Sequence, residues 1–139
     1  YVGHYESEFL CFDLDQGSLK WKYRDRSFPY YSSPAIVEDK VMIGGRDRQL
    51  HCLNRETGER IWRFSTRGKV DSSPVVVGGE VVFGSEDGRL YRVGLEDGKE
   101  IQSIDVGQPL TSSPAVINDW VVIGSEDGSV YGFHAKSQP

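Results

Sequence analysis

The sequence is poor in what several large functional classes require. It has no apolar run near the roughly 20 residues that a membrane-crossing helix needs, and no stretch reads as a secretory signal. Its basic residues are scattered: sixteen Lys and Arg stand against twenty-one Asp and Glu, for a formal net charge of −5. Nucleic acid, whose phosphates call for a concentrated cationic face, is therefore excluded as a partner. No window shows the 3.6-residue apolar spacing of an amphipathic helix. Only two cysteines occur, Cys11 and Cys52, at matching places in successive segments. They read as small buried hydrophobes, because equivalent positions in neighbouring repeats lie too far apart to bridge.

What the chain has instead is repetition. Ser-Ser-Pro occurs at Ser32-Ser33-Pro34, Ser72-Ser73-Pro74 and Ser112-Ser113-Pro114, a step of 40 residues, and Gly44, Gly84 and Gly124 keep the same step. A fixed period of this size marks solenoids, propellers and arrays. The central copy resolves into four short runs. Ser73 to Val77 is closed by Gly78-Gly79, Val81-Val82-Phe83 by Asp87-Gly88, Arg89 to Val93 by Glu96-Asp97-Gly98, and Glu100 to Val106 comes last. Asp-Gly is a strong two-residue hairpin signal, so a type I′ turn is expected there. The density of Val and Ile favours strand. The second run is apolar without alternation, which implies burial on both faces, as stacked sheets provide. Four antiparallel strands per repeat make a propeller blade.

The expected fold is all-β: a β-propeller segment of about 3.5 four-stranded blades. A partial blade spans residues 1–28, full blades 30–67 and 70–107, and a partial blade 110–139 lacks its fourth strand, with Gln138 where a turn glycine should stand. Pro34, Pro74 and Pro114 place the first strand of each blade at a sheet edge, since proline cannot donate to a ladder. The serines beside them suit a wet central channel. Tyr1-Val2-Gly3 aligns with Met42-Ile43-Gly44 one residue out of step, because an insertion sits near Phe28-Pro29. The chain thus begins inside a motif and is expected to be a piece of a longer protein with a ring of seven or eight blades. The open ring is expected to close through further blades of the same protein or through another copy of the chain, or its unfinished blade through an N-terminal strand.

Ser-Ser-Pro, a Val-rich run, Gly-Ser-Glu-Asp-Gly, an aromatic strand, Thr-Gly-Glu and then Trp together resemble the PQQ-like (quinoprotein-type) β-propeller repeat family. Ser32 through Phe64, with Glu56-Thr57-Gly58-Glu59 and Trp62, is the best copy. In that family the Trp stacks across a peptide of the adjoining blade. The resemblance therefore implies a structural docking role for Trp21 and Trp62, with the turn glycines Gly17, Gly58 and Gly98. The third copy carries Gln102 in place of the Trp. Family members include quinone-dependent alcohol dehydrogenases, assembly lipoproteins of the BamB type and kinase-attached sensor domains. A periplasmic or envelope location is implied by the resemblance alone. The enzymes bind quinone beneath adjacent cysteines; this chain has none adjacent, and no cofactor is expected.

Reactive constellations are sparse. Glu86-Asp87 and Glu126-Asp127 recur with the array and precede glycine, so turn formation accounts for them better than calcium binding does. His4, His51 and His134 occupy different places in the repeat without metal-ligand spacing. His51 stands where Tyr91 and Tyr131 stand, which reads as packing. The expected function is a non-catalytic protein-interaction scaffold, neither enzyme nor metal site. The competing readings are a dehydrogenase fragment with its catalytic residues elsewhere and a sensor domain. Candidate partner contacts are Trp120, which replaces Lys40 and Glu80 of its sisters; Arg46 and Arg48, which break the Ser-Glu-Asp-Gly pattern; and the channel-mouth residues Tyr31, Asp71 and Thr111.

Overall fold

A computed structural model describes residues 1–134, which form fourteen strands and no helix. The strands fall into four antiparallel meanders, each strand pairing with its sequence neighbours. The first comprises β1 (Val2–Gly3), β2 (Phe9–Asp13) and β3 (Ser18–Tyr23). The second comprises β4 (Ala35–Val37), β5 (Lys40–Gly45), β6 (Gln49–Asn54) and β7 (Arg60–Ser65). β8 (Val75–Val77), β9 (Glu80–Gly84), β10 (Arg89–Gly94) and β11 (Glu100–Asp105) make the third. β12 (Ala115–Ile117), β13 (Trp120–Gly124) and β14 (Val130–His134) make the fourth. These are propeller blades. The expectation about a missing fourth strand and Gln138 falls on residues 135–139, outside the described residues.

The repeat period is written into the register. In each of the first three blades the pairing of third and fourth strands slips at one place: between Cys11 and Phe12, Cys52 and Leu53, and Arg92 and Val93. A bulge sharpens the local twist, and here it falls beside the position that carries Trp21, Trp62 or Gln102. The Asp-Gly turns differ from the expected type I′. The Gly88 N–H donates to the Ser85 carbonyl at 3.1 Å, and only Gly88 has a positive φ, of 84°. This is a type I turn followed by a left-handed residue. Its shape is held by the Asp87 carboxylate, which accepts from the Arg89 N–H at 3.1 Å.

Burial of the second strand tracks how many neighbours flank it. β5 is buried along its whole length, whereas in β13 only Ile123 is buried. Three clusters of apolar side chains fill the seams between blades, with Tyr30, Val70 and Leu110 recurring as fully buried plugs at the 40-residue step. Two of the Ser-Ser pairs depart from the expectation of a wet channel. Ser32 and Ser72 are buried, their hydroxyls accepting from the N–H of Gly44 (2.8 Å) and Gly84 (3.0 Å). The second serines tie blades together: the Ser33 N–H donates to Ser73 Oγ at 2.7 Å, and the Ser73 N–H to Ser113 Oγ at 3.0 Å. A hydroxyl serves both jobs because it accepts from a backbone N–H at short reach.

Candidate functional site

The two tryptophans at the fourth strands cross the seams. Trp21 Nε1 donates to the Arg55 carbonyl at 3.0 Å, and Trp62 Nε1 to the Leu95 carbonyl at 2.9 Å. Each indole lies flat on a turn glycine of the next blade. A Cβ at Gly58 would meet Trp21 at 2.6 Å, and one at Gly98 would meet Trp62 at 2.5 Å; both glycines have positive φ. Gly17 shares that backbone shape, but nothing lies within 4 Å of it. Behind Trp62, burial pushes the Cys52 thiol up to about 12. Cys11 and Cys52 are both buried and free. The buried Lys40 ammonium crosses the same seam to Glu96 at 3.1 Å while also holding Asp39 at 3.1 Å.

At the other end of the blades the substituted turn behaves differently from its sisters. Arg46 does not project freely from the tip. Its Nε and Nη2 form a bidentate pair with Asp71 at 3.0 and 2.7 Å, and its guanidinium lies 4.1 Å from the centre of the Tyr31 ring. Two of the channel-mouth candidates, Tyr31 and Asp71, thus form one clamp with Arg46 between the second and third blades. Thr111 Oγ1 donates to Glu126 at 3.1 Å, an exposed bond within the fourth blade. Arg48 is exposed, with φ +66°, where its counterparts are Gly88 and Gly128.

Beneath that turn lies a buried polar network. His51 is fully buried, and its role exceeds packing. Nε2 is 3.0 Å from Asp47 Oδ2 and Nδ1 is 3.1 Å from the Tyr23 hydroxyl, while the Tyr23 and Tyr30 rings meet it edge-on. Desolvation raises the pKa of Tyr23 and Tyr30 above the ordinary phenol value. Asp25, Asp47 and His51 bring one potential metal-ligating atom each to within 4.8 Å of one another. Asp25, however, is held by Arg60 at 3.2 Å and Arg63 at 3.0 Å. Two guanidiniums on one ligand oppose a cation, so the cluster acts as an ionic and hydrogen-bonded joint.

Trp120 stands at the far edge of the array. It is 48% exposed and packs edge-on against His134 at 5.0 Å. On the preceding seam, Arg92 makes a bidentate pair with Glu80 (2.8 and 3.0 Å) and donates to Gln102 at 2.7 Å. Clefts of about 210 and 270 Å³ flank these side chains, lined from the other side by Val121.

The family model described as outer membrane protein assembly factor BamB matches residues 6–137. This chain belongs to the BamB family. Its fold is similar to that of BamB from Moraxella catarrhalis (TM-score 0.84, 20% identity), covering 96% of this chain and 42% of that one. The computationally designed Ika4 protein is similar at TM-score 0.82 and 16% identity, covering 96% and 83%. Quinohemoprotein alcohol dehydrogenase ADHIIG from Pseudomonas putida HK5 is similar at TM-score 0.69 and 23% identity, covering 76% and 19%. No curated protein matches the chain by sequence. This BamB-family chain therefore spans less than half the length of the Moraxella protein, and the likeness to these structures is one of fold.

Sequence reasoning missed the joint around His51, although a signal for it was present. Asp47 and His51, Asp87 and Tyr91, and Asp127 and Tyr131 are all four residues apart, and each pair is bonded: Tyr91 donates to Asp87 at 2.7 Å and Tyr131 to Asp127 at 3.5 Å. The joint is one variant of a repeated turn-to-strand bond. Arg26, Phe28 and Lys69, which border the substituted turn, were missed as well. Lys69 takes the place of Pro29 and Pro109 in the repeat, and Arg26 and Phe28 fall at the insertion.

Proposed function

We propose that this chain is part of a non-catalytic scaffold that binds proteins and assists assembly in the cell envelope. The observation that carries this is membership in the family described as outer membrane protein assembly factor BamB. The chemistry supports it. The groups that recur with the array are spent on holding the array: Trp21 and Trp62 on neighbouring turns, Ser73 and Ser113 on neighbouring strands, Asp87 and Asp127 within their own turns. A propeller built this way presents its loop rims to partners. The contacts we assign to partners are Arg48 and Trp120 as exposed ends, with the Tyr31–Arg46–Asp71 clamp and Thr111 shaping the rim. Remaining blades of the same protein, or a second copy, complete the ring, and no nucleic acid is involved.

The test is capture of partners by the full-length protein from envelope extracts, with crosslinking. We expect an assembly-machinery protein that is lost when Arg48 and Trp120 are changed together. The likeness in fold to quinohemoprotein alcohol dehydrogenases gives the competing reading. Quinone absorbance and alcohol-dependent dye reduction in the native protein would establish that reading and overturn ours.

A further inference from the structure

The array departs from its own pattern at the loop end shared by the first two blades. There the connector between β3 and β4 carries the insertion, and the following turn reads Gly45-Arg46-Asp47-Arg48 where its sisters read Ser-Glu-Asp-Gly. A cleft of about 260 Å³ opens between them, lined by Arg26, Phe28, Arg46, Asp47, Arg48 and Lys69. Phe28 is 47% exposed. Arg46 is satisfied by Asp71 and Lys69 faces Glu86 at 3.4 Å. Arg26 and Arg48 form no ion pair among the described residues.

Arg48 is the informative residue. A left-handed φ costs a side chain about 1 kcal/mol or more relative to glycine. The array has glycine available at this position and uses it twice, with φ of 84° and 83°. The backbone job here, donation from the Thr66 N–H to the Arg48 carbonyl at 2.9 Å, needs no side chain. The strain is thus retained without a structural return within the chain. A second observation points to an occupant: Asp47, whose side chain is 3% exposed, lines the same cleft, and its Oδ1 accepts no hydrogen bond among the described residues. A buried acceptor of this kind is costly until a donor reaches it.

We infer that this cleft is a binding site for an acidic protein segment, which lays carboxylates against Arg26 and Arg48, an apolar side chain against Phe28, and a backbone N–H toward Asp47. The need for an N–H donor and an apolar anchor beside the carboxylates favours peptide over phosphate or an anionic lipid. The inference rests on the scaffold reading and names the chemistry of one partner segment.

The test is fluorescence anisotropy of the full-length protein with a fluorescein-labelled peptide carrying glutamates around a phenylalanine, and a glutamine-for-glutamate control. Saturable binding that weakens with salt and is absent for the control is expected. Arg48→Gly should weaken it about tenfold, the scale of one charge-assisted hydrogen bond, with melting temperature unchanged or raised. Arg26→Ala and Phe28→Ala should each weaken it without unfolding. Equal binding of both peptides, no loss on Arg48→Gly, or binding only to phosphatidylglycerol vesicles or inorganic phosphate would overturn the site. If envelope extracts still yield a partner that ignores Arg26 and Arg48, this site fails and the scaffold reading stands; if they yield none, the scaffold reading fails.

Discussion

The seam between the second and third blades and the seam between the third and fourth both hold an apolar cluster, and they part at one equivalent position beside it. In the former, the cross-strand pair is Cys52 and Trp62, and the indole caps the Gly98 turn over an apolar cluster. In the latter, the cross-strand pair is Arg92 and Gln102, tied to Glu80 instead of Lys40, and clefts open where the indole would lie. The Cys–Trp and Arg–Gln pairs are exchanges of a whole cross-strand unit. A lone Arg behind Trp62 would be buried without a partner, and a lone Trp beside Arg92 would displace the Gln102 bond. The indole holds by excluded area and the Arg–Gln pair by charges that water can reach, so the two positions differ in strength.

That contrast can be broken experimentally. The largest effect is expected for Trp62→Ala in the full-length protein, a loss of about 3–5 kcal/mol by denaturant titration, since a buried indole and its bond to Leu95 both go. Gly98→Ala, which strains a φ of +64° and presses a methyl into Trp62, should cost about 2–3 kcal/mol. At the Arg–Gln position, Gln102→Ala should cost under about 1 kcal/mol. A cycle of Arg92→Cys and Gln102→Trp sharpens the comparison: the double variant should be more stable than the two single changes sum to, by about 1 kcal/mol. Additive behaviour would mean the pair is not a unit.

Alkaline pH supplies a separate probe. Burial raises the Cys52 thiol from an ordinary value of 9.0 to about 12, so folding favours its protonated form. That contribution is complete below pH 9 and drains away as pH rises toward 12. Melting temperature should therefore fall over this window, and Cys52→Ala should flatten part of the fall. The residual slope is shared by Tyr23, Tyr30 and Tyr91, whose pKa values burial also raises.

The fold was legible because it is periodic. Ser-Ser-Pro, the Val-rich runs and the Asp-Gly turns each state a local backbone preference, and three copies at one step leave little room for another architecture. The turn type was misread at Asp87-Gly88 because composition reports that a positive φ is needed, not at how many residues. The site was less legible for a similar reason. Arg46 and Arg48 stood out as departures from the repeat, but nothing in their identity says that Asp71, 25 positions on, takes the first and leaves the second exposed.

The sequence by itself determined the blade: strand spacing, turn positions and apolar faces are local, and they follow from backbone sterics and side-chain solubility. Only the tertiary structure decided which charges are consumed, that His51 is a buried joint between Tyr23 and Asp47, and that an indole closes one seam where an Arg–Gln pair stands at the next. Those outcomes depend on which atoms of neighbouring blades come within bonding distance, a through-space property that no single stretch of chain encodes.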